Sequence, residues 1–160
     1  MSEMRPGPLR MSATALRAAG SGDLAEVERL LDGAGLPLAG VRESLGDFVV
    51  AEAEGGIVGV IGLERCGDSA LLRSAAVDPA WRSRGLGRSL VERIVADANR
   101  RNLRALYLLT TTAERYFANL GFTHTTRDAV PDSVRATAEF QGACPASATV
   151  MTLALGMPPR

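Results

Sequence analysis

Residues 72 to 87 read LRSAAVDPAWRSRGLG, and the order of their chemistry decides the fold. An apolar run from Leu71 to Val77 meets the turn pair Asp78-Pro79, then Arg82, Arg84, Gly85 and Gly87, and only then a helical pattern. That order reads as strand, loop, helix. Glycines at a helix start allow close backbone approach, while the first N–H groups lack intrahelical partners and sit at the positive end of the helix dipole. The loop is therefore a candidate cradle for a diphosphate, although such glycines also serve tight turns and close packing.

Downstream, Leu90, Val91, Ile94, Val95 and Ala98 recur at helical spacing, with Arg100 and Arg101 near the end and Asn102 as a stop. The continuous apolar character of Ala105 to Thr110 suits a buried strand, parallel to the one before the loop through that helix. Upstream, Phe48–Glu52 and Ile57–Leu63 flank Glu54-Gly55-Gly56, a hairpin signal, and Cys66 to Ser69 turns into the strand from Ala70 to Val77. Before them come a short strand over Thr14 to Arg17 and a helix from Leu24 to about Asp32, opened by a capping box of Asp23 with Glu26. Pro37 and Gly40 keep Leu36 to Leu45 from forming a long helix. A second capping box, Thr111 with Glu114, predicts a short helix ending at Gly121. After it come a strand over Thr123 to Arg127, a helix from Asp132 through Val134 and Ala138, and a last strand over Ala148 to Leu153.

With 160 residues, 46% of them hydrophobic and 22% charged, the composition is that of one soluble domain. The expected layout is a flexible leader over 1–11, a single domain over 12–155 and a loose tail over 156–160. Eighteen basic residues balance eighteen acidic ones, so no net field draws the chain to nucleic acid or a membrane surface. Cys66 and Cys144 stand far apart, which indicates neither a disulfide framework nor a metal site. No apolar run approaches the roughly 20 residues that span a bilayer, and a cytoplasmic location is expected.

Two stretches carry a resemblance. Arg82-Ser83-Arg84-Gly85-Leu86-Gly87, with Ala76-Val77 just before it, resembles the acetyl-CoA signature of the GNAT family of N-acetyltransferases. Ala113, Tyr116-Phe117 and Leu120-Gly121-Phe122 resemble that family's second signature. The resemblance implies an α/β (α+β) GNAT fold: a mixed, mostly antiparallel sheet of six to seven strands, a central parallel pair, and helices on both faces. It also implies direct transfer of acetyl from acetyl-CoA, the cosubstrate, to an amine. Backbone N–H groups at about Ala76 and Val77 would then polarise the thioester carbonyl, with Ala75 also in the cofactor site. Arg82, Ser83, Arg84, Gly85, Leu86, Gly87 and Arg88 would hold the diphosphate, and Thr110 and Phe117 would complete the cofactor site.

The acid and base stay open. Phe117 occupies the place of the family's usual tyrosine, and its neighbour Tyr116 points about 100° away on a helix, so Tyr116 as acid competes with a packing role and with water. Leu71, Leu72 and Arg73 stand where some members carry a glutamate base. Glu52 and Glu64 are the substitutes, each also readable as a solvated strand residue. Arg73, amid apolar neighbours, needs a partner: an acidic group on the acceptor, or an internal ion pair with Glu52 or Glu64. Thr111, Glu139 and Cys144 are the other candidate acceptor contacts. His124 reads as structural or surface.

Thr110 to Glu114, Leu120 to Phe122 and the polar ending resemble the arsenic-resistance-associated and amino-acid acetyltransferase branch. That implies a small amino acid or an amino-acid-like arsenical as acceptor, with a homodimer left open. A peptide or protein N-terminal acetyltransferase and a non-catalytic acetyl-CoA sensor are the competing readings.

Overall fold

A computed structural model describes residues 14–156 of the chain, so the expected leader and residues 157–160 of the tail lie outside the described residues. In chain order the elements are β1 (Ala15–Ala18), α1 (Leu24–Gly33), α2 (Val41–Ser44), β2 (Phe48–Ala53), β3 (Gly56–Cys66), β4 (Ser69–Val77), α3 (Leu86–Arg100), β5 (Ala105–Thr110), α4 (Glu114–Asn119), β6 (Thr123–Thr125), α5 (Asp132–Arg135) and β7 (Thr149–Ala154). The strands form one seven-stranded sheet in the order β1-β2-β3-β4-β5-β7-β6. Every neighbouring pair is antiparallel except β4 and β5, the two strands joined through α3.

Helices cover both faces, which is why the central strands read as continuous apolar runs rather than as an alternation. On one face Val49, Ala51, Ile61, Leu63 and Leu72 pack against Leu90 and Ile94 of α3. On the other, Phe48, Val50, Val60 and Ala76 meet Val27 and Leu31 of α1 and Val41 of α2. Leu71 and Val150 pack beneath Val134 of α5. Gly62, paired across from Phe48, leaves the space that this buried ring fills; a Cβ there would overlap it.

The parallel pairing is short. It runs only from Ser69 opposite Ala105 to Leu71 opposite Tyr107, after which β4 stays with β3 as far as Val77 and β5 stays with β7 as far as Thr110. A bulge accompanies the parting: Gly62 pairs with Arg73 and Val60 with Ala76, so Ser74 and Ala75 share the space opposite Ile61. Ser74 holds φ at +61°, which re-aims the strand where the two sheet halves separate.

Both expected capping boxes are absent. The Asp23 carboxylate turns back to accept from Gly20 N (2.7 Å) and Arg17, while Glu26 accepts from Ile57 N (3.2 Å), so neither carboxylate caps α1. At α4 the residue preceding the predicted one does the work: Thr110 Oγ1 accepts from Ala113 N at 2.9 Å, and Glu114 turns to His124 and Thr149. The helix expected through Ala138 stops at Arg135, and residues Glu139–Ala143 form a wide π-type turn.

Candidate functional site

Where β4 and β5 part, a cleft of about 1060 Å³ opens across the sheet. Ala75, Ala76 and Val77 line one side of it, and Thr110, Thr111 and Phe117 the other. Asp78 donates its N–H to Val58 O (2.8 Å). Since N–H directions alternate along a strand, Ala76 also faces β3, and the Val77 amide is the one turned to the split.

The loop after β4 closes one end, with Arg82, Ser83, Gly85, Leu86, Gly87 and Arg88 in the cleft wall. Gly85 is the N-cap of α3 at φ +82°, a left-handed conformation in which L side chains are strained. Ser83 adopts φ +65° two residues earlier, so the loop makes two left-handed turns ahead of the helix. Arg82 Nε donates to Val77 O (3.0 Å), tying the loop to the strand end, and Arg88 pairs with Glu92 at 3.1 Å. Arg84 is not brought into the cleft wall; its guanidinium lies over the Trp81 ring, 4.7 Å from the centroid. Trp81 itself lines the cleft and was missed in the sequence, where a lone tryptophan beside Arg82 was the only signal.

Tyr116 also reaches this end. A Cβ built on Gly87 would stand 3.0 Å from the Tyr116 hydroxyl, so α4 and the first turn of α3 meet there, and the tyrosine is still 42% exposed. Burial of its ring raises the phenol above its ordinary pKa, which keeps the hydroxyl a proton-bearing donor. Phe117 is buried, edge-on to Phe122. These features fit a diphosphate-bearing cosubstrate such as acetyl-CoA: cationic side chains, the start of a helix, and a glycine at Gly87 where a Cβ would crowd the Tyr116 hydroxyl.

The opposite end is acidic and enclosed. The Arg73 side chain is fully buried; Nη1 donates to Glu64 Oε1 (3.1 Å), Nη2 to Pro37 O (3.3 Å) and Nε to Ser74 Oγ (3.0 Å), with Glu139 Oε2 3.4 Å from Nε. Of the two readings of Arg73, the geometry is that of the internal ion pair, made with Glu64 and Glu139. Glu139 lines the cleft with a side chain only 5% exposed. Burial pushes its carboxyl above the ordinary glutamate range, and Arg73 pulls it partly back. Cys144 also lines the cleft; burial, then the charge of Glu139, pushes its thiol up to about 11.

Glu64 reaches Arg73 from β3 without entering the cleft wall. Glu52 is not brought to the site: it accepts from Arg17 Nε (3.1 Å) with its side chain 43% exposed, on the far side of β3 from the split. His124 sits on β6 against Glu114 (2.6 Å), away from the cleft. Among the described residues no His/Cys/Asp/Glu group is arranged to hold a metal ion, and no helix is long and apolar enough to cross a membrane.

The model of the acetyltransferase (GNAT) domain family matches residues 44–124, half of the chain. An amino-acid acetyltransferase of Azotobacter vinelandii is 36% identical over 107 residues, 63% of this chain and 25% of its own length. The chain thus spans about a quarter of that curated relative. N-acetylglutamate synthase from Neisseria gonorrhoeae, solved with coenzyme A and L-arginine, shares the fold (TM-score 0.76, 22% identity, 90% of this chain and 34% of that one). Rv2747 from Mycobacterium tuberculosis, solved in complex with CoA and NLQ, is 26% identical with TM-score 0.73, covering 88% of this chain and 99% of that one. The split sheet and the sequence match agree, and the chain belongs to the GNAT acetyltransferase family.

Proposed function

We propose that this protein transfers the acetyl group of acetyl-CoA directly to the primary amine of a small, amino-acid-like acceptor. The observation that carries this reading is the single cleft along the β4–β5 split, with the cationic loop at one end and a buried carboxylate at the other. Family membership and the amino-acid acetyltransferase relatives support it. Bound in the loop, acetyl-CoA supplies an activated thioester acyl group. The Val77 amide faces the split, where a backbone donor stabilises developing oxyanion charge without any particular side chain. A Cys144 thiol held near 11 stays protonated at neutral pH, which argues against an acyl-cysteine and for direct attack by the amine.

A small acceptor is favoured over a peptide because the walls meet. Arg73 donates to Pro37 O of the α1–α2 connection and pairs with Glu139 of the π-type turn, drawing both segments over the acceptor end. An arsenical has no feature of the cleft in its favour over an ordinary amino acid. A cytoplasmic site of action suits the cosubstrate.

The test is a thiol-release assay with acetyl-CoA and two arms, the free amino acids and peptides with free N-termini. Release with free amino acids, and product heavier by one acetyl group, is the expected result. Release with peptides alone moves the acceptor class, and binding without release in either arm supports the sensor reading instead.

A further inference from the structure

Glu139 has a side chain only 5% exposed, yet it stands in the wall of a cleft. Its Oε2 lies 3.4 Å from Arg73 Nε. Its Oε1 has only the Cys144 thiol, Sγ 3.6 Å away, and a thiol is a weak donor. One carboxylate oxygen therefore keeps acceptor capacity for a stronger N–H donor than the protein supplies. The groups around it come from three sides: Arg73 on β4, Glu64 on β3, and Cys144 before β7, with Arg127 over the neighbouring Phe140 ring. Two carboxylates share Arg73, so the buried trio of Glu64, Glu139 and Arg73 carries one net negative charge when ionised, the sign that draws an ammonium, while Arg127 stands off it against the Phe140 ring. Arg73 Nε also donates to Ser74 Oγ at the bulge, which places the Glu139 carboxylate beside the point where the strands part.

We propose that Glu139 receives the acceptor's ammonium group and is the base that deprotonates it, an inference that rests on the transfer reading above and deepens it. One proton passes from R–NH3+ to Glu139 Oε1. The freed lone pair forms the C–N bond as the C–S bond breaks, the second N–H proton goes to the departing sulfur, and Glu139 returns its proton to solvent. Ammonium and thioester thus give one amide, one thiol and one proton. Burial supplies the tuning, because a glutamate raised toward neutrality is a better base for work near pH 7 than one at its ordinary value.

Glu139→Gln keeps the size and removes the proton acceptor. With the free amino acid acetylated fastest in the assay above, the variant's kcat/KM falls about 100- to 10,000-fold at pH 7. The deficit shrinks as pH approaches the acceptor amine's own pKa, where the neutral amine needs no base. Glu139→Asp recovers part of the rate, and calorimetric affinity for CoA is unchanged in both variants. Carbon-13 NMR of the ligand-free protein shows one carboxyl titrating above the usual glutamate range, absent from Glu139→Gln. A variant within about threefold of wild type with the same pH profile overturns the inference, as does a deficit constant at every pH. Wild-type protein that binds CoA but acetylates no amine sinks the transfer reading itself, whereas active wild type with an unimpaired variant sinks Glu139 alone.

Discussion

The Tyr116 hydroxyl stands 3.0 Å from where a Cβ on Gly87 would be, which puts this phenol at the Arg82–Arg88 end of the cleft and not at the buried acidic end. Removing the hydroxyl should therefore weaken cosubstrate binding more than chemistry. Tyr116→Phe is expected to lower CoA affinity roughly 2- to 10-fold, the scale of one net hydrogen bond, and to leave kcat within about tenfold. Calorimetry with CoA and saturation kinetics check both. A kcat loss above about 100-fold with unchanged affinity marks a general acid instead.

Gly85→Glu tests the cradle. A Cβ there meets no atom within 4 Å, but φ +82° strains any L residue by about 1–2 kcal/mol, and the carboxylate adds negative charge at the start of α3. CoA affinity should drop at least about tenfold while circular dichroism stays that of the folded protein. Unchanged affinity in a folded variant removes the diphosphate from this loop.

Much of this was legible in the chain, and the failures share a cause. The strands and α3 announce themselves by period and by the turn residues around them, and β5 begins and ends where its apolar run does. The strand, loop and helix around Gly85 could be read because backbone geometry there depends on glycine. The capping boxes failed because their acids found other partners, Arg17 for Asp23, Ile57 N for Glu26 and His124 for Glu114, that helix spacing does not point to. Glu52 and Glu64 looked equivalent as hairpin acids; only the register puts Glu64 opposite Leu71, on the face of β3 that Arg73 shares, and leaves Glu52 with Arg17. The Ser74 bulge left no mark at all, since nothing in Arg-Ser-Ala-Ala calls for a positive φ.

Asp23 should govern part of the acid stability. Its hydrogen bonds from Arg17, then from Gly20 N, pull the carboxyl from 3.8 down to about 2. A folded pKa below the unfolded one gives stability that is present above pH 4 and lost as pH falls from about 4 to about 2. The pair is largely solvent-screened, so Asp23→Asn should cost no more than about 1 kcal/mol at pH 7. The two proteins should converge near pH 2 in urea unfolding; a gap that persists there assigns the loss to something other than charge.

Arg73→Met decides what the buried guanidinium is for. It keeps a long, flexible side chain but leaves Glu64 and Glu139 without the cation that both approach, and frees Pro37 O and Ser74 Oγ of a donor. Breaking a buried pair by removing one partner costs about 3–5 kcal/mol, because the remaining charge stays desolvated. The loss depends on pH with a definite sign. Arg73 lowers the Glu139 carboxyl, which burial has raised, so its removal lets that pKa climb further. A folded pKa above the unfolded one means stability is complete below the ordinary glutamate range and is lost as pH rises through the raised value. Urea unfolding should accordingly show a larger deficit at pH 8 than at pH 5, whichever acceptor is present. If Arg73 instead read an acidic group on the acceptor, the variant would unfold like wild type at both values and raise KM for carboxylate-bearing acceptors alone. That pair of results would return the guanidinium to the substrate and detach Glu139 from the charge balance argued for it.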